Sequence, residues 1–453
     1  MMLPEREAPV LDVRELADPA GVGMDAERLG RIDTLFRRYV DDGRLPGWSL
    51  AVTRRGRLVH RSNYGFADPE SGRQVNDDTV FRIYSMTKPI TSLAAMMLYE
   101  EGCFELNDPV AAYLPEFADT RVWKGGSTTG PETEPITEPL RIWHLLTHTS
   151  GLTYGFQRSH PTDALYRDAG YDLGGPKGVT LAEAVATWAS LPLRFQPGTA
   201  WCYSVSTDVL GRLVEVLSGR SLDAFFAERI LGPMGMVDTA FGLPEGQRHR
   251  LAALHVPDPA TKKAVRFDEL GPVSRSVPTF LSGGGGLVST TDDYLRFCDV
   301  LLRRGERDGV RLLSPRTVDF MTCNHLPGGA DLLGFARSMY AETPFAGVGF
   351  GLGFSVVTDP VRHKVLGSQG TFAWGGDLLH RVFREPGGGD HRSVHDPADS
   401  LRHLAVAEPA HPTGHPGDRR LTVSTMHVAR VRRSKRPGFG CVRVCGRTCG
   451  RRG

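Results

Sequence analysis

A serine and a lysine three residues apart stand directly before a long apolar segment. Ser85 and Lys88 are followed by Pro89 and by the apolar run 90–98, which ends before Gly102. Proline is tolerated in the first turn of a helix, where its missing N–H costs little, so Pro89 predicts that a helix begins here. Residues three apart share one helical face, and both polar side chains are therefore expected at the same place.

The pair has a catalytic and a structural interpretation. A free serine is a poor nucleophile that needs a neighbouring group to accept its proton, and a nearby cation makes that step easier. Ser85 and Lys88 would supply the hydroxyl and the cation from one turn. The structural alternative is a serine that caps a helix, with a lysine on the surface. Because both residue types are common, the motif alone favours the structural alternative.

Length and charge exclude several classes of protein. The chain has 453 residues, of which 40% are hydrophobic, and a net charge of +2. This length allows one large or two modest domains with a real core. The small net charge gives no reason to expect nucleic acid or a membrane as a partner. No segment reaches the roughly 18 apolar residues of a spanning helix, and the charged N-terminus lacks the apolar stretch of a secretory signal. We therefore expect a soluble, cytoplasmic protein.

The cysteines do not have the spacing of a metal site. Four are isolated in the sequence, which predicts buried thiols. These four are Cys103, Cys202, Cys298 and Cys323. Three more cysteines stand four apart within 441–449, without a fourth ligand nearby. No metal or other cofactor is expected.

The regions on either side of the serine predict an antiparallel layer. Apolar residues recur on one helical face over 24–39, and two β-rich runs, 48–53 and 58–64, are separated by a short turn. A helix followed by a hairpin indicates a helix that lies on an antiparallel sheet. Strand character returns over 347–357 and 365–376.

The middle of the chain has mostly helical patterns. Helices are predicted over 209–217, with Gly219 as the C-cap, and over 222–230. The glycine-rich stretch 282–286 lacks the Gly-Lys-Ser/Thr ending of a phosphate loop. We interpret its glycines as letting the backbone pass close to the site before a helix over 292–302.

His148 follows a predicted helix, in a turn rich in threonine and serine. A histidine can act as a general base or bind a metal, but a metal site needs several partners at ligand spacing. We interpret His148 as structural, with its imidazole hydrogen-bonded to the backbone of the turn.

Taken together, the motifs resemble those of the serine β-lactamase-like hydrolases, in particular class C β-lactamases and the related β-lactamase-fold carboxylesterases. In chain order they are 85–88, 145–152, 197–198 with 203–204, 231–236 and 374–376. The ordered set covers roughly residues 20 to 376 and is far more specific than any single motif.

The resemblance implies an α/β (α+β) fold of the β-lactamase and penicillin-binding-protein transpeptidase type. This fold is a sandwich in which an antiparallel sheet is flanked by helices, and a mostly helical second domain is added. The α/β part is expected at about 20–110 and 275–376, and the helical part at about 111–274.

The resemblance also implies roles for individual residues. Ser85 would be the nucleophile that is acylated, and Lys88 would help to deprotonate it. Tyr203 would be the general base, directly as phenolate or through Lys88, and would then activate the deacylating water. A tyrosine has a reference pKa of about 10 and needs a close cation to act at neutral pH.

An oxyanion hole would complete the implied site. Its two donors would be the backbone N–H of Ser85 and one on the edge strand at Trp374, Gly375 and Gly376. No metal or cofactor is implied.

Two departures from the β-lactamase pattern favour an ester substrate. β-Lactamases carry Tyr-x-Asn, where this chain has Val205 in the third position. They also carry Lys-Thr/Ser-Gly on the edge strand, where this chain has Trp374, Gly375 and Gly376. A tryptophan without a lysine favours a neutral, apolar acyl ester over an anionic β-lactam.

We therefore expect a serine hydrolase that acts on small carboxylic esters through an acyl-enzyme on Ser85. The alternatives are a β-lactamase or D-alanyl-peptide hydrolase, and a non-catalytic binding protein on the same fold. The expected partner is a small-molecule ester or amide, not nucleic acid or a membrane. The sequence does not indicate the oligomeric state.

Residues 377–453 differ in character from the rest of the chain. They contain no Trp or Tyr and are rich in Arg, His, Pro and Gly. A basic, disordered tail is one interpretation. The arginine run at 430–436 has no folded module around it, which argues against a nucleic-acid-binding role.

A frameshift is the second interpretation of this tail. The codons permitted by 394–403, read one nucleotide later, include Phe-Met-Thr-Gln-Leu-Ile-Pro-Ser-Ala. That segment is similar to the last strands of the family. A chain shifted from about residue 377 would lack the last strands of its sheet, and its activity would be impaired.

Overall fold

The structure, a computed structural model, describes residues 10–172, 174–258, 260–267, 278–337, 344–376, 380–384 and 421–427. The helices are α1 Ala26–Asp41, α2 Thr87–Glu100, α3 Ile142–Leu146, α4 Pro161–Asp168, α5 Leu181–Ser190, α6 Ser206–Ser218, α7 Leu222–Phe226, α8 Thr291–Leu302, α9 Pro315–Met321, α10 Leu332–Phe335 and α11 Pro360–His363. None of the helices in the described part is long and apolar enough to cross a membrane.

The strands form one large antiparallel sheet and several short pairs. They are β1 Gly47–Arg54, β2 Arg57–Asp68, β3 Arg73–Gln74, β4 Phe81–Arg82, β5 Arg121–Ser127, β6 Gly130–Pro135, β7 His255–Pro257, β8 Ala264–Arg266, β9 Val288–Ser289, β10 Glu306–Arg307, β11 Val310–Arg311, β12 Val348–Phe350, β13 Ser355–Val357, β14 Phe372–Gly376, β15 His380–Arg384 and β16 Leu421–His427. The large sheet runs in the order β12-β13-β14-β15-β16-β1-β2-β3.

The predicted helix and hairpin form one side of this layer. Helix α1 begins after Asp25, whose carboxylate accepts a hydrogen bond from the backbone N–H of Arg28 and so caps the helix. The buried face of α1 includes Ile32 and Phe36, which join a core cluster with Trp48 of β1. Each such side chain contributes about 1.5–3 kcal/mol by leaving water. The interpretation of a helix that lies on an antiparallel hairpin is confirmed.

Helix α2 is the centre of the molecule. It begins at Thr87, so Pro89 is its third residue, and its side chains from Thr87 to Leu98 are all buried. A helix that is buried on every side must be covered by several elements. Helix α6 covers one side, and the turn Tyr84–Met86 that precedes α2 lies beside β14.

The middle region contains the expected helices and two hairpins that were not predicted. Helix α6 ends at Gly219 with φ 66°, the left-handed C-cap that its sequence predicts. The predicted helix over 222–230 is α7, followed by a wider π-type turn, Ala227–Leu231. The β5–β6 and β7–β8 hairpins lie within the part expected to be mostly helical.

Two predicted strands are shorter than expected. The strand predicted over 347–357 is two strands, β12 and β13, which pair with each other as a hairpin. The strand predicted over 365–376 begins only at Phe372, because bends and a turn occupy the residues before it.

The tail contributes to the sheet, which corrects one expectation. Strand β15 pairs with β14, and β16 lies between β15 and β1, so the sheet does have strands after Gly376. The expectation that the last strands are missing is therefore wrong, because these backbone segments complete the ladder of β1 from Trp48 to Arg54. The predicted disorder, the arginine run and the cysteines of 441–449 fall outside the described residues.

The prediction that the four isolated cysteines are buried is correct for only two of them. Cys202 and Cys298 are buried, Cys103 is half-buried and Cys323 is exposed. Cys323 follows the end of α9 at the surface, where no core lies over it. In the described part of the chain, no cluster of His, Cys, Asp or Glu could hold a metal ion.

Candidate active site

A tight turn presents Ser85 at the start of α2. The turn Tyr84–Met86 is a 3-10 turn, and Tyr84 has the left-handed φ of 43°. A non-glycine residue in this conformation costs roughly 1–2 kcal/mol, so its neighbours must hold it. The Tyr294 hydroxyl donates to the Met86 carbonyl at 2.9 Å, and the Ile83 N–H donates to the Leu287 carbonyl at 3.0 Å.

The three residues expected to do the chemistry meet at one point. The Tyr203 hydroxyl donates a hydrogen bond of 2.5 Å to Ser85 Oγ. Lys88 Nζ lies 3.3 Å from the same Oγ and 4.7 Å from the centre of the Tyr203 ring. The structural alternative for the motif is excluded, because Lys88 is only 2% exposed and Met86, not Ser85, is the N-cap of α2.

The glycine-rich stretch passes close to the site, as its sequence predicts. The Gly284 carbonyl accepts a hydrogen bond of 2.6 Å from Lys88 Nζ. The Gly283 carbonyl accepts one of 2.7 Å from Thr91 Oγ1. A Cβ on Gly283 would lie 2.9 Å from the Thr207 carbonyl oxygen, so only glycine fits between α2 and α6.

Aromatic side chains surround Tyr203. Trp374 of β14 is 2% exposed, and its ring centre lies 5.6 Å from that of Tyr203. Trp201, Phe350 and Tyr154 pack in the same cluster. The tryptophan that the sequence predicts at the site, Trp374, is therefore part of a larger apolar enclosure. Strand β14, which carries Trp374 and Gly375, packs against the turn that holds Ser85.

His148 lies inside this cluster, and its hydrogen bond differs from the prediction. The ring centres of His148 and Tyr203 are 5.1 Å apart, and its Nδ1 bonds the Ser204 hydroxyl at 3.1 Å. That hydroxyl continues through Ser206 to Ser150, with 2.7 Å at each step. The prediction that the imidazole bonds the backbone is therefore wrong for Nδ1, whose partner is the hydroxyl of Ser204 in a row of three buried serines.

The charge of His148 is set by its surroundings. Burial, together with the charge of Lys88, lowers the pKa of His148 well below its usual range. The imidazole is therefore neutral near Lys88. Its backbone has φ 56°, and its carbonyl accepts from Cys202 N–H at 2.9 Å, which fixes the segment that leads to Tyr203.

Sequence reasoning missed two residues of the site. The Tyr154 ring lies 5.5 Å from Lys88 Nζ and 5.3 Å from the Tyr203 ring. The Asp208 carboxylate, buried in the first turn of α6, accepts from Gly284 N–H at 3.0 Å. The only sequence signal for Asp208 is its position, as an acid directly before the apolar run of α6.

Comparison with known proteins identifies the family. The family model described as Beta-lactamase matches residues 32–398. An uncharacterized protein of Mycobacterium tuberculosis (strain CDC 1551 / Oshkosh) is 39% identical over 345 residues, which is 75% of this chain and 83% of that protein. Esterase EstB of Burkholderia gladioli is 34% identical over 386 residues, or 81% of this chain and 90% of EstB.

A solved structure agrees with these sequence matches. EstCE1, a hydrolase with promiscuous acyltransferase activity, is 25% identical, with a TM-score of 0.67. The alignment covers 89% of this chain and 93% of EstCE1. The fold predicted from the motifs is confirmed, and this chain belongs to the Beta-lactamase family.

Proposed function

We propose that the protein is a serine hydrolase that cleaves small carboxylic esters through an acyl-enzyme on Ser85. The observation that carries the proposal is the convergence of two groups on one oxygen. Tyr203 Oη lies 2.5 Å and Lys88 Nζ 3.3 Å from Ser85 Oγ. A nucleophile within hydrogen-bond reach of a base, with a cation beside both, is the arrangement that activates a serine.

In acylation, the Tyr203 phenolate takes the hydroxyl proton of Ser85 while Oγ attacks the ester carbonyl. The ammonium of Lys88, 4.7 Å from the tyrosine ring, stabilises that phenolate. The tetrahedral oxyanion is held by the Ser85 N–H and an N–H of β14. Its collapse breaks the ester C–O bond, and Tyr203 returns the proton to the departing alkoxide. Water then repeats the sequence and releases the acid.

The walls of the site favour a neutral acyl group. Trp374, Trp201 and Phe350 pack around Tyr203 and carry no charge. Val205, which stands where β-lactamases have asparagine, is buried in the core at the start of α6. An anionic β-lactam would enter this enclosure without the edge-strand lysine that grips its carboxylate. EstB, an esterase by name, supports the same substrate class.

Transfer of the acyl group to an alcohol is the second candidate. Ser85 is 8% exposed and Tyr203 is 1% exposed, so the reacting groups lie in a largely enclosed site. In such a site an apolar alcohol competes well with water for the acyl-enzyme. The promiscuous acyltransferase activity named for EstCE1 supports this candidate.

The test is covalent labelling followed by intact mass. Purified protein is treated with a fluorophosphonate probe beside Ser85→Ala and, as a control, Ser190→Ala in α5. We expect one adduct in the wild type and in Ser190→Ala and none in Ser85→Ala. p-Nitrophenyl esters of increasing chain length and nitrocefin then separate esterase from β-lactamase activity. A wild-type protein that is folded but forms no adduct would contradict the proposal.

A further inference from the structure

The Lys88 ammonium is buried at the centre of the site. Its side chain is 2% exposed, and its nitrogen donates to Ser85 Oγ and to the Gly284 carbonyl. The rings of Tyr203 and Tyr154 lie 4.7 and 5.5 Å away. Burying an ammonium costs several kcal/mol unless a negative charge compensates it.

The buried carboxylate of Asp208 binds the same glycine as Lys88. Asp208 is 2% exposed, and its Oδ1 accepts hydrogen bonds from Ser282 Oγ at 2.6 Å and from Gly284 N–H at 3.0 Å. The Gly284 residue therefore binds Asp208 with its N–H and Lys88 with its carbonyl. A fixed glycine backbone thus links the two charged side chains.

The glycine loop is packed closely against both partners. A Cβ on Gly284 would collide with the Asp208 carboxylate. The preceding Gly283 is held by Thr91 of α2 through its carbonyl, at 2.7 Å. The loop is therefore clamped between α2 and α6, and the carbonyl that Lys88 binds stays where Asp208 places it.

We propose that Asp208 is a positioning residue for Lys88, which holds the Gly284 carbonyl in place and supplies the negative charge that keeps Lys88 an ammonium ion. The consequence of this inference rests on the proposed function. If Lys88 is charged, Tyr203 and not Lys88 accepts the proton of Ser85. Asp208 touches neither substrate nor Ser85, and acts only through Lys88.

Three other titratable groups face Lys88 in the described part of the chain. Tyr203 and Tyr154 face it from the segments before α6 and α4, and His148 faces it from the turn after α3. Burial lowers the pKa of His148 and leaves it neutral. Burial raises the pKa of Asp208, while the charge of Lys88 acts in the opposite direction, as expected for a counter-ion.

The first test does not depend on activity. Unfolding midpoints are measured for wild type, Asp208→Asn, Lys88→Met and the double variant. Asparagine keeps an acceptor for the Ser282 and Gly284 donors but removes the charge. We expect Asp208→Asn to lower the midpoint in the wild-type background. In the Lys88→Met background it should leave the midpoint unchanged or raise it, because no ammonium needs a partner there and the buried carboxylate has lost its own.

The matched control is Asp293→Asn. Asp293 is also buried in a first helical turn, and it also accepts from a backbone N–H and a hydroxyl, those of Asp238 at 2.7 Å and Thr239 at 3.0 Å. It has no contact with Lys88, so its effect should be the same in both backgrounds. If Asp208→Asn does not fold alone, Lys88→Met and the double variant decide. An equal or higher midpoint in the double variant supports the counter-ion, and a lower midpoint overturns it.

The second test separates positioning from mere structure. The pH profile of kcat/KM for a p-nitrophenyl ester is compared in wild type, Asp208→Asn and Asp293→Asn. Loss of the counter-charge lets Lys88 release its proton more readily, so the alkaline limb should move down by about one pH unit or more in Asp208→Asn only. An unmoved limb would overturn the inference, whereas failure of Ser85 labelling in the wild type would overturn the proposed function and leave the midpoint test standing.

Discussion

The hydroxyl of Tyr203 connects the nucleophile to its base, which makes a conservative variant informative. Tyr203→Phe keeps the ring that packs 5.6 Å from Trp374 and removes the 2.5 Å bond to Ser85. We expect kcat/KM for p-nitrophenyl esters to fall by about 10²–10⁴-fold, the usual contribution of a general base. The unfolding midpoint should change little.

Tyr113→Phe is the matched control for this change. Tyr113 also donates through its hydroxyl, to Asp108 at 2.7 Å, but it lies outside the site. Its activity should equal that of the wild type. Loss of less than about tenfold in Tyr203→Phe would show that another group accepts the proton.

A second residue-scale prediction concerns acid sensitivity. Burial, with the charge of Arg141, lowers the pKa of His144 to about 4. Its neutral Nδ1 accepts from Arg141 N–H at 2.9 Å and so closes the start of α3. An unfolded histidine takes up a proton at about pH 6.5. The contribution of His144 to stability is therefore complete above that pH and is lost as the pH falls towards 4.

His144→Asn keeps an acceptor but cannot titrate. Between pH 7 and 5, we expect its unfolding midpoint to fall less than that of the wild type. The comparison must be made against the wild type, because other groups change the stability of the protein over the same range. Burial raises the pKa values of Asp293 and Asp299 to about 6, so their protonation stabilises the folded protein as the pH falls. His249→Asn, at an exposed position, is the control. Parallel curves for wild type and His144→Asn would contradict the prediction.

At the scale of single residues, the sequence predicts the reacting groups but not the residues that hold them in place. Ser85, Lys88 and Tyr203 stand in recognisable motifs, and the structure brings them together. Asp208 and Tyr154 have no such motif, since their roles depend on contacts made after folding. The Gly284 carbonyl reaches Lys88 across 196 residues of sequence, and no local pattern shows which carbonyl an ammonium will meet.

Among the elements, the glycine loop gives the clearest prediction. A Cβ on Gly283 would meet the Thr207 oxygen at 2.9 Å, Thr91 Cγ2 at 3.1 Å and Gly211 Cα at 3.3 Å, and none of these is the end of a flexible side chain. We expect Gly283→Ala to destabilise the protein by about 1–3 kcal/mol through overpacking. It should also lower kcat, because the displaced loop carries the acceptor of Lys88.

Gly246→Ala is the control, since nothing lies within 4 Å of its added Cβ. Denaturant unfolding and ester hydrolysis are measured on both variants. Wild-type stability in Gly283→Ala would mean that the loop is not clamped between the two helices.

Elements with a clear period are predictable, and short ones are not. Helix α1 lies within a few residues of its predicted bounds because it buries one face, which gives its apolar residues a helical period. The β1–β2 hairpin is found as well, because its two runs are rich in apolar and β-branched residues and a short turn separates them. Strands such as β12 and β13 have three residues each, which is too few to show an alternation. The β5–β6 hairpin was missed because its Gly, Thr, Glu and Pro residues are mostly exposed and carry no apolar pattern.

On the scale of the whole molecule, strands from the tail join the strand beside the site to the rest of the sheet. Strand β14, which carries Trp374 and Gly375, has β15 as one neighbour, and β16 pairs with β1 over seven residues. The strands that join the two halves of the sheet therefore come from the part of the chain whose composition changes after Gly376. The family match ends at residue 398, before β16 begins.

The composition of β15 is unusual for its place in the sheet. Strand β15 has two arginines in five residues, although it has a neighbour on each side. We propose that residues from about 377 onward are translated out of frame, and that the frame-restored sequence would supply apolar strands at these places.

Three chains test this proposal together: the sequence as it stands, a chain that ends at Gly376, and a chain with the frame restored after codon 376. The chain that ends at Gly376 should aggregate, because β1 and β14 would both present unpaired edges. The frame-restored chain should have a higher unfolding midpoint and faster fluorophosphonate labelling at Ser85 than the chain as it stands, because better-paired strands hold β14 against the Tyr84–Met86 turn. Sequencing the gene adds an independent check, and a frame-restored chain that is no more stable and no faster would show that the present strands already serve the sheet.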